Sequence, residues 1–184
     1  PDFPKYDCTV PFIRMLAGPM DYTPGAMINA NKENFSDIYA EPMSQGTRCH
    51  QLALYILYES PLAMLSDSPT QYEREQECTT FIASVPTTFD ETHVLTAAIG
   101  DYLAMARRKN DRWYIGAITN WKARTLHLDL SFLPKGIYTL DIFEDGVNAD
   151  RNASDYRHHT LTVHSEEGID INLGSGGGWT AVVR

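Results

Sequence analysis

The hydrophobic positions change their period partway along the chain. From Arg124 to Phe132 (RTLHLDLSF) they alternate: Leu126, Leu128, Leu130 and Phe132 point one way, His127, Asp129 and Ser131 the other. A period of two predicts a half-buried strand. Gly136–Glu144 repeats it through Tyr138, Leu140 and Ile142, and Arg157–His164, Gly168–Leu173 and Trp179–Val183 follow in the same style. Upstream, Val94–Gly100, Asp101–Arg108 and Arg112–Asn120 are further strands, the last two joined by the turn Lys109-Asn110-Asp111. About eight short strands at hairpin spacing predict an antiparallel β-sandwich.

Before Val85-Pro86 the pattern is helical. Thr47 is a candidate N-cap for a helix over Arg48–Leu65. Leu52–Leu57 is apolar on nearly every face, so that helix is expected to be buried on several sides, and Pro61 to kink or split it. Ser68-Pro69-Thr70-Gln71 is a capping box that starts a second, polar helix through about Phe81. Arg14–Gly25 (RMLAGPMDYTPG) is a strand-like apolar run passing into turn chemistry, because Pro19, Pro24 and Gly25 exclude a helix. Two helices and a loop enclose no core of their own. Residues 1–83 therefore need something to pack against, whereas 84–184 read as a sandwich, an α+β arrangement overall.

Composition narrows the function. The formal charge of −9 over 184 residues argues against nucleic acid as a partner, which needs a basic face. No apolar run approaches the roughly 18–20 residues of a membrane span. The chain opens Pro1-Asp2-Phe3-Pro4-Lys5, with no initiator Met and no signal peptide, and reads as the inside of a longer chain. Cys8, Cys49 and Cys78 form no metal-ligand spacing and read as reduced, buried or half-buried thiols, with one disulfide as the alternative.

Few residues suggest chemistry. Gly174–Gly178 (GSGGG) lacks the Lys and Ser/Thr of a phosphate loop and is expected to be a flexible loop. His158 and His164 share a strand face with Thr160 and Thr162, so the cluster with His159 reads as solvated rather than metal-binding. Asp145–Asp150 has alternating oxygen donors but no following bidentate Glu, which favours a turn over a calcium loop. Trp113, Trp121 and Trp179 are expected in the core, although exposed coplanar indoles would suit sugar. Asn34-Phe35-Ser36 and Asn152-Ala153-Ser154 are formal glycosylation sequons. No nucleophile–base set can be picked out. Asp21, in its Pro/Gly-framed loop, is the single candidate functional acid, with turn stabilisation as the alternative.

RMLAGPMDYTPG (Arg14–Gly25) resembles the end of the catalytic barrel in glycoside hydrolase family 97, a family of α-glucosidases and α-galactosidases best known from Bacteroidetes. The similarity continues through Pro42–Pro69, Phe81–Thr92, Trp113–Trp121, Leu128–Asp150 and Gly176–Trp179. It implies the last strand and helix of a (β/α)8 barrel, about residues 1–83, followed by the C-terminal sandwich, 84–184. It implies a calcium-dependent, exo-acting, periplasmic or secreted parent. The parent's catalytic carboxylates and calcium ligands are expected upstream of Pro1, so this chain carries no catalytic residue, no metal ligand, and no activity alone. Asp21, Tyr22, Thr23 and Gly25 would follow the eighth strand and line the substrate cleft. Expected partners are the upstream barrel, an N-terminal sandwich and an α-linked oligosaccharide for the parent, and the barrel-facing apolar surface at Leu52–Leu57 is expected to be exposed and covered by another copy, another chain or aggregation. A non-catalytic carbohydrate-binding or oligomerisation module is the alternative.

Overall fold

A computed structural model describes residues Pro1–Arg184. Its centre is a six-stranded, wholly antiparallel sheet: β3 (Glu91–Ala98), β4 (Tyr102–Lys109), β5 (Arg112–Thr119), β10 (Gly178–Val183), β7 (Ile137–Asp145) and β8 (Tyr156–His164), in that spatial order. A two-stranded antiparallel sheet, β6 (Arg124–Leu128) and β9 (Ile169–Leu173), covers one face. The eight predicted strands are all present. β6 stops at Leu128, earlier than expected, because the Asp129 carboxylate accepts from Ser131 N (2.8 Å) and turns the chain. Leu130 and Leu133 beyond it still enter the core.

The other face of the large sheet is covered by helix. α1 (Phe3–Asp7) and α2 (Val10–Ile13) open the chain, α3 (Arg48–Leu57) lies across β5 and β10, and α4 (Pro69–Arg74) and α5 (Gln76–Ser84) follow. β1 (Asn29–Ala30) and β2 (Ser44–Gln45) form a short parallel pair. The central strands are thus buried on both faces. On β10, Trp179, Ala181 and Val183 face the small sheet, while Val182 faces α3. On β5, Ile115 and Ala117 face the small sheet, and Tyr114 and Ile118 face the helices. Gly116 lets α3 approach: an added Cβ would stand 3.2 Å from Ala53 O, Ile56 Cβ and Leu57 Cγ.

Three expectations need correction. α3 ends at Leu57 and not Leu65, since a proline ring at 61 would clash with the carbonyl four residues earlier, that of Leu57. The polar helix is two helices, broken at Glu75 (φ −105°, ψ 50°), and α5 runs on to Ser84. No strand precedes Asp21. Val10–Ile13 is helical, Met15–Ala17 is a 3-10 turn, and the only ladder contact of the next segment is the isolated bridge Tyr22–Ala63.

The expected exposure of Leu52–Leu57 is also wrong. Leu52, Ala53, Leu54, Ile56 and Leu57 are at most 1% exposed, sealed against Leu103, Met105, Tyr114, Ile118 and Val182 of the sheet. The most exposed large apolar residues of the helical layer are Ile13, Leu16, Tyr39 and Leu62 instead. No helix is long and apolar enough to cross a membrane.

Candidate functional site

The segment Asp21–Gly25 is held by side chains from the elements around it. Gly25 N donates to Gln51 Oε1 (3.1 Å), Tyr72 Oη donates to Gly25 O (3.0 Å) and Tyr55 Oη donates to Pro24 O (2.9 Å). Gly25 has φ +88°, and a Cβ there would run into the Tyr55 phenol, so only glycine suits this position. Pro24 and Gly25 are buried; Asp21 and Thr23 are exposed, and Tyr22 is half-buried.

Tyr22 connects this segment to a buried polar cluster. Its hydroxyl donates to Asp7 Oδ1 (2.9 Å), which also accepts from Tyr58 Oη (3.0 Å). Asp7 Oδ2 lies 3.1 Å from His50 Nε2, and His50 Nδ1 lies 3.2 Å from Gly177 O. Both ring nitrogens face acceptors, the Asp7 carboxylate on one side and the Gly177 carbonyl on the other, so His50 bridges α1 and the glycine-rich loop. Asp7 is 1% exposed and His50 0%. Burial, then the Asp7 charge, pushes both phenols up, so they remain donors. Tyr22 stands between two cavities. One, of about 290 Å³, is largely apolar and includes Leu54, Tyr55 and Ile82; the other, of about 200 Å³, is polar and includes Asp7, Thr23, Gln45 and Gln51.

The cluster was hidden in the sequence because its members are 15, 43 and 51 residues apart. The available signal was Arg48, His50 and Gln51 at the head of an otherwise apolar helix. Arg48 is equally committed: Nη2 donates to Met27 O, Nε to Asn29 Oδ1 (2.9 Å), and Nη1 pairs with Glu75 (2.6 Å).

The glycine-rich loop is close-packed, contrary to the flexible loop expected. Thr47 N donates to Gly176 O (2.9 Å), and a Cβ on Gly178 would collide with the backbone of Cys49 and His50. Asp145 Oδ2 holds the loop from the other side, accepting from Gly174 N (2.8 Å) and Gly178 N (3.0 Å). Burial pushes the Asp145 carboxyl up to about 6 against these bonds. Asp145 is the last residue of β7, and Asn148 N donates to Asp155 in the turn beyond it. Among the indoles only Trp179 is core. Trp121 lies against Gly176, and Trp113 packs 4.7 Å from Phe132 at the rim, a correction to the all-core expectation. The three cysteines are buried and unpaired. No three His, Cys, Asp or Glu side chains are grouped so as to hold a metal ion.

His158 lies on the exposed strand face expected and there bridges two carboxylates. Its Nδ1 is 2.7 Å from Glu77 on α5, its Nε2 is 2.6 Å from Asp141 on β7, and it stacks on Phe143 at 4.1 Å. Burial opposes its charge, but the bonds to the two carboxylates outweigh burial and raise its pKa above 6.5. A raised histidine stabilises the fold below its unfolded value and loses that contribution as pH rises through the folded one. Thermal midpoints measured between about pH 5 and 8 should therefore fall toward the alkaline side, and His158→Gln should flatten the fall. Identical slopes for both proteins would refute the clamp.

Comparison with known proteins places this geometry in context. A family model described as "Glycosyl-hydrolase 97 C-terminal, oligomerisation" matches residues 88–184. A retaining alpha-galactosidase of Bacteroides thetaiotaomicron is 49% identical over 180 residues, 98% of this chain and 27% of that protein. A glycoside hydrolase family 97 enzyme of Pseudoalteromonas sp. strain K8, solved with acarbose, superposes with a TM-score of 0.85 at 33% identity, covering 98% of this chain and 28% of its own. A beta-arabinopyranosidase shares the fold, with a TM-score of 0.81 at 24% identity. The chain spans just over a quarter of the length of the first two relatives.

Proposed function

The chain belongs to glycoside hydrolase family 97, and from that premise we propose that it is the C-terminal portion of an exo-acting, retaining α-galactosidase. The observation that carries this is the 49% identity to one such enzyme along 98% of the chain. In this reading two carboxylates of the upstream barrel perform the chemistry, one as nucleophile and one as acid and base. Calcium, which the family resemblance implies, belongs to the same upstream part. Asp21, Tyr22, Thr23 and Gly25 line the rim of the cleft, supported by their exposed, side-chain-anchored turn beside two cavities. The sandwich also mediates self-association. The family model's description favours this, as do the two free edges of the large sheet, β3 and β8, whose backbone groups are open to pairing.

One experiment addresses both parts. The isolated chain should release no nitrophenol from aryl α-galactoside and should sediment as an oligomer. The full-length enzyme should turn over aryl α-galactoside in preference to aryl α-glucoside. Turnover by the repurified isolated chain, or glucoside preference by the full-length enzyme, would overturn the proposal.

A further inference from the structure

A single line of buried hydrogen bonds runs from the sandwich to the segment Asp21–Thr23. Asp145 on β7 holds the glycine-rich loop through Gly174 N and Gly178 N. That loop presents Gly177 O to His50, His50 meets Asp7, and Asp7 accepts the Tyr22 hydroxyl. We propose that Tyr22, fixed by the Asp7–His50 pair, is a positioning residue for the exposed Asp21 and Thr23, so that the C-terminal sandwich sets the geometry of the cleft rim. This rests on the cleft-lining reading above.

The placement of the other anchors supports it. Asp21 and Thr23 make no side-chain hydrogen bond of their own, and the backbone between them is tied only at Tyr22, whose carbonyl accepts from Met64 N (3.1 Å). The flanking ties are Met20 N to Glu59 O (2.9 Å) on one side and Tyr55 to Pro24 O on the other. All of these come from the residues after α3 or from α3 itself. The Tyr22 hydroxyl is the one bond that reaches across to α1, and it ends on a carboxylate that cannot relocate. Asp7 is 1% exposed and already accepts from Tyr58 and faces His50. Misplacement by about 1 Å costs up to roughly a hundredfold in rate, so a single bond of this kind is enough to matter.

Tyr58 supplies the internal control. It donates to the same Asp7 oxygen, packs edge-on against Tyr22 at 4.6 Å, and lies outside the rim segment. In the full-length enzyme, Tyr22→Phe and Tyr58→Phe should both lower the thermal midpoint, Tyr22 losing one bond to Asp7 and Tyr58 its bonds to the Asp7 carboxylate and carbonyl. Only Tyr22→Phe should lower kcat/KM on aryl α-galactoside, by about 10- to 100-fold. Asp7→Asn should share the kinetic loss. Equal kinetic effects of the two phenylalanine variants would reduce the cluster to a stabilising role and overturn the proposal. A loss in Asp21→Ala with Tyr22→Phe unchanged would overturn the positioning role and leave the cleft reading standing. Unchanged kinetics in Asp21→Ala, Thr23→Ala and Tyr22→Phe together would overturn the cleft reading as well.

Discussion

Gly178→Ala is expected to destabilise the chain by about 3 kcal/mol, the upper end of the ordinary range for overpacking. The new methyl group would meet the backbone of Cys49 and His50, which cannot rotate away as a side chain tip can. Neither partner has room to retreat. α3 is sealed against the sheet along Leu52–Leu57, and Gly178 is paired with Ile118 while its N–H is bound by Asp145. A loss of that size lowers the midpoint of a domain this long by roughly 6–12 °C. Gly136→Ala is the matched control. Gly136 is exposed, and an added Cβ would find only ordinary contact with Tyr138 at 3.5 Å, so its midpoint should stay close to that of the parent sequence. Coincident melting of Gly178→Ala and the parent sequence would show that the loop and α3 are not in the close contact described.

Arg107→Met should also cost about 3 kcal/mol, for an electrostatic reason. Arg107 lies on β4, 4% exposed, and its Nη1 donates to Ile56 O and Tyr58 O (both 3.2 Å), where α3 ends. Nε donates to Thr92 Oγ1 (3.0 Å), Nη2 pairs with Glu59, and the guanidinium stacks over Phe89 at 4.2 Å. Methionine fills similar volume but leaves the helix-end carbonyls and the Glu59 carboxylate without a donor. The cost sits at the low end for a broken buried pair because the Glu59 side chain keeps 33% of its surface in water. Arg107→Lys should recover little, since a single ammonium cannot fork to both carbonyls and the carboxylate. Glu59→Gln should cost only about 1 kcal/mol, the net worth of one hydrogen bond. Urea unfolding of the four proteins reads these differences. A midpoint for Arg107→Lys equal to that of the native sequence would contradict the forked contact.

Both substitutions probe the seam between helices and sheet, and that seam was the least legible feature of the sequence. The strands were legible because a half-buried strand writes its two faces into alternate residues, as in Leu126 and Leu128. Even β10, buried on both faces, showed as the strand-like segment Trp179–Val183. That the helical residues needed a surface to pack on was also readable, since Leu52–Leu57 is too apolar to stand alone. Which surface they choose was not, because it depends on pairings such as His50 with Gly177, 127 residues apart. Gly174–Gly178 misled for the same reason. Glycines signal freedom or close approach, and only the position of α3 decides between them. The rim segment was legible in its Pro24-Gly25 turn, whereas its anchor Asp7 carried no local signal at all.

The central claim is that this chain completes a retaining α-galactosidase of family 97. Proton NMR of the first galactose released by the full-length enzyme from aryl α-galactoside tests it most directly. The account predicts the α-anomer first, with the β-anomer appearing only by later mutarotation. Release of the β-anomer first, or no hydrolysis of the galactoside, would contradict it.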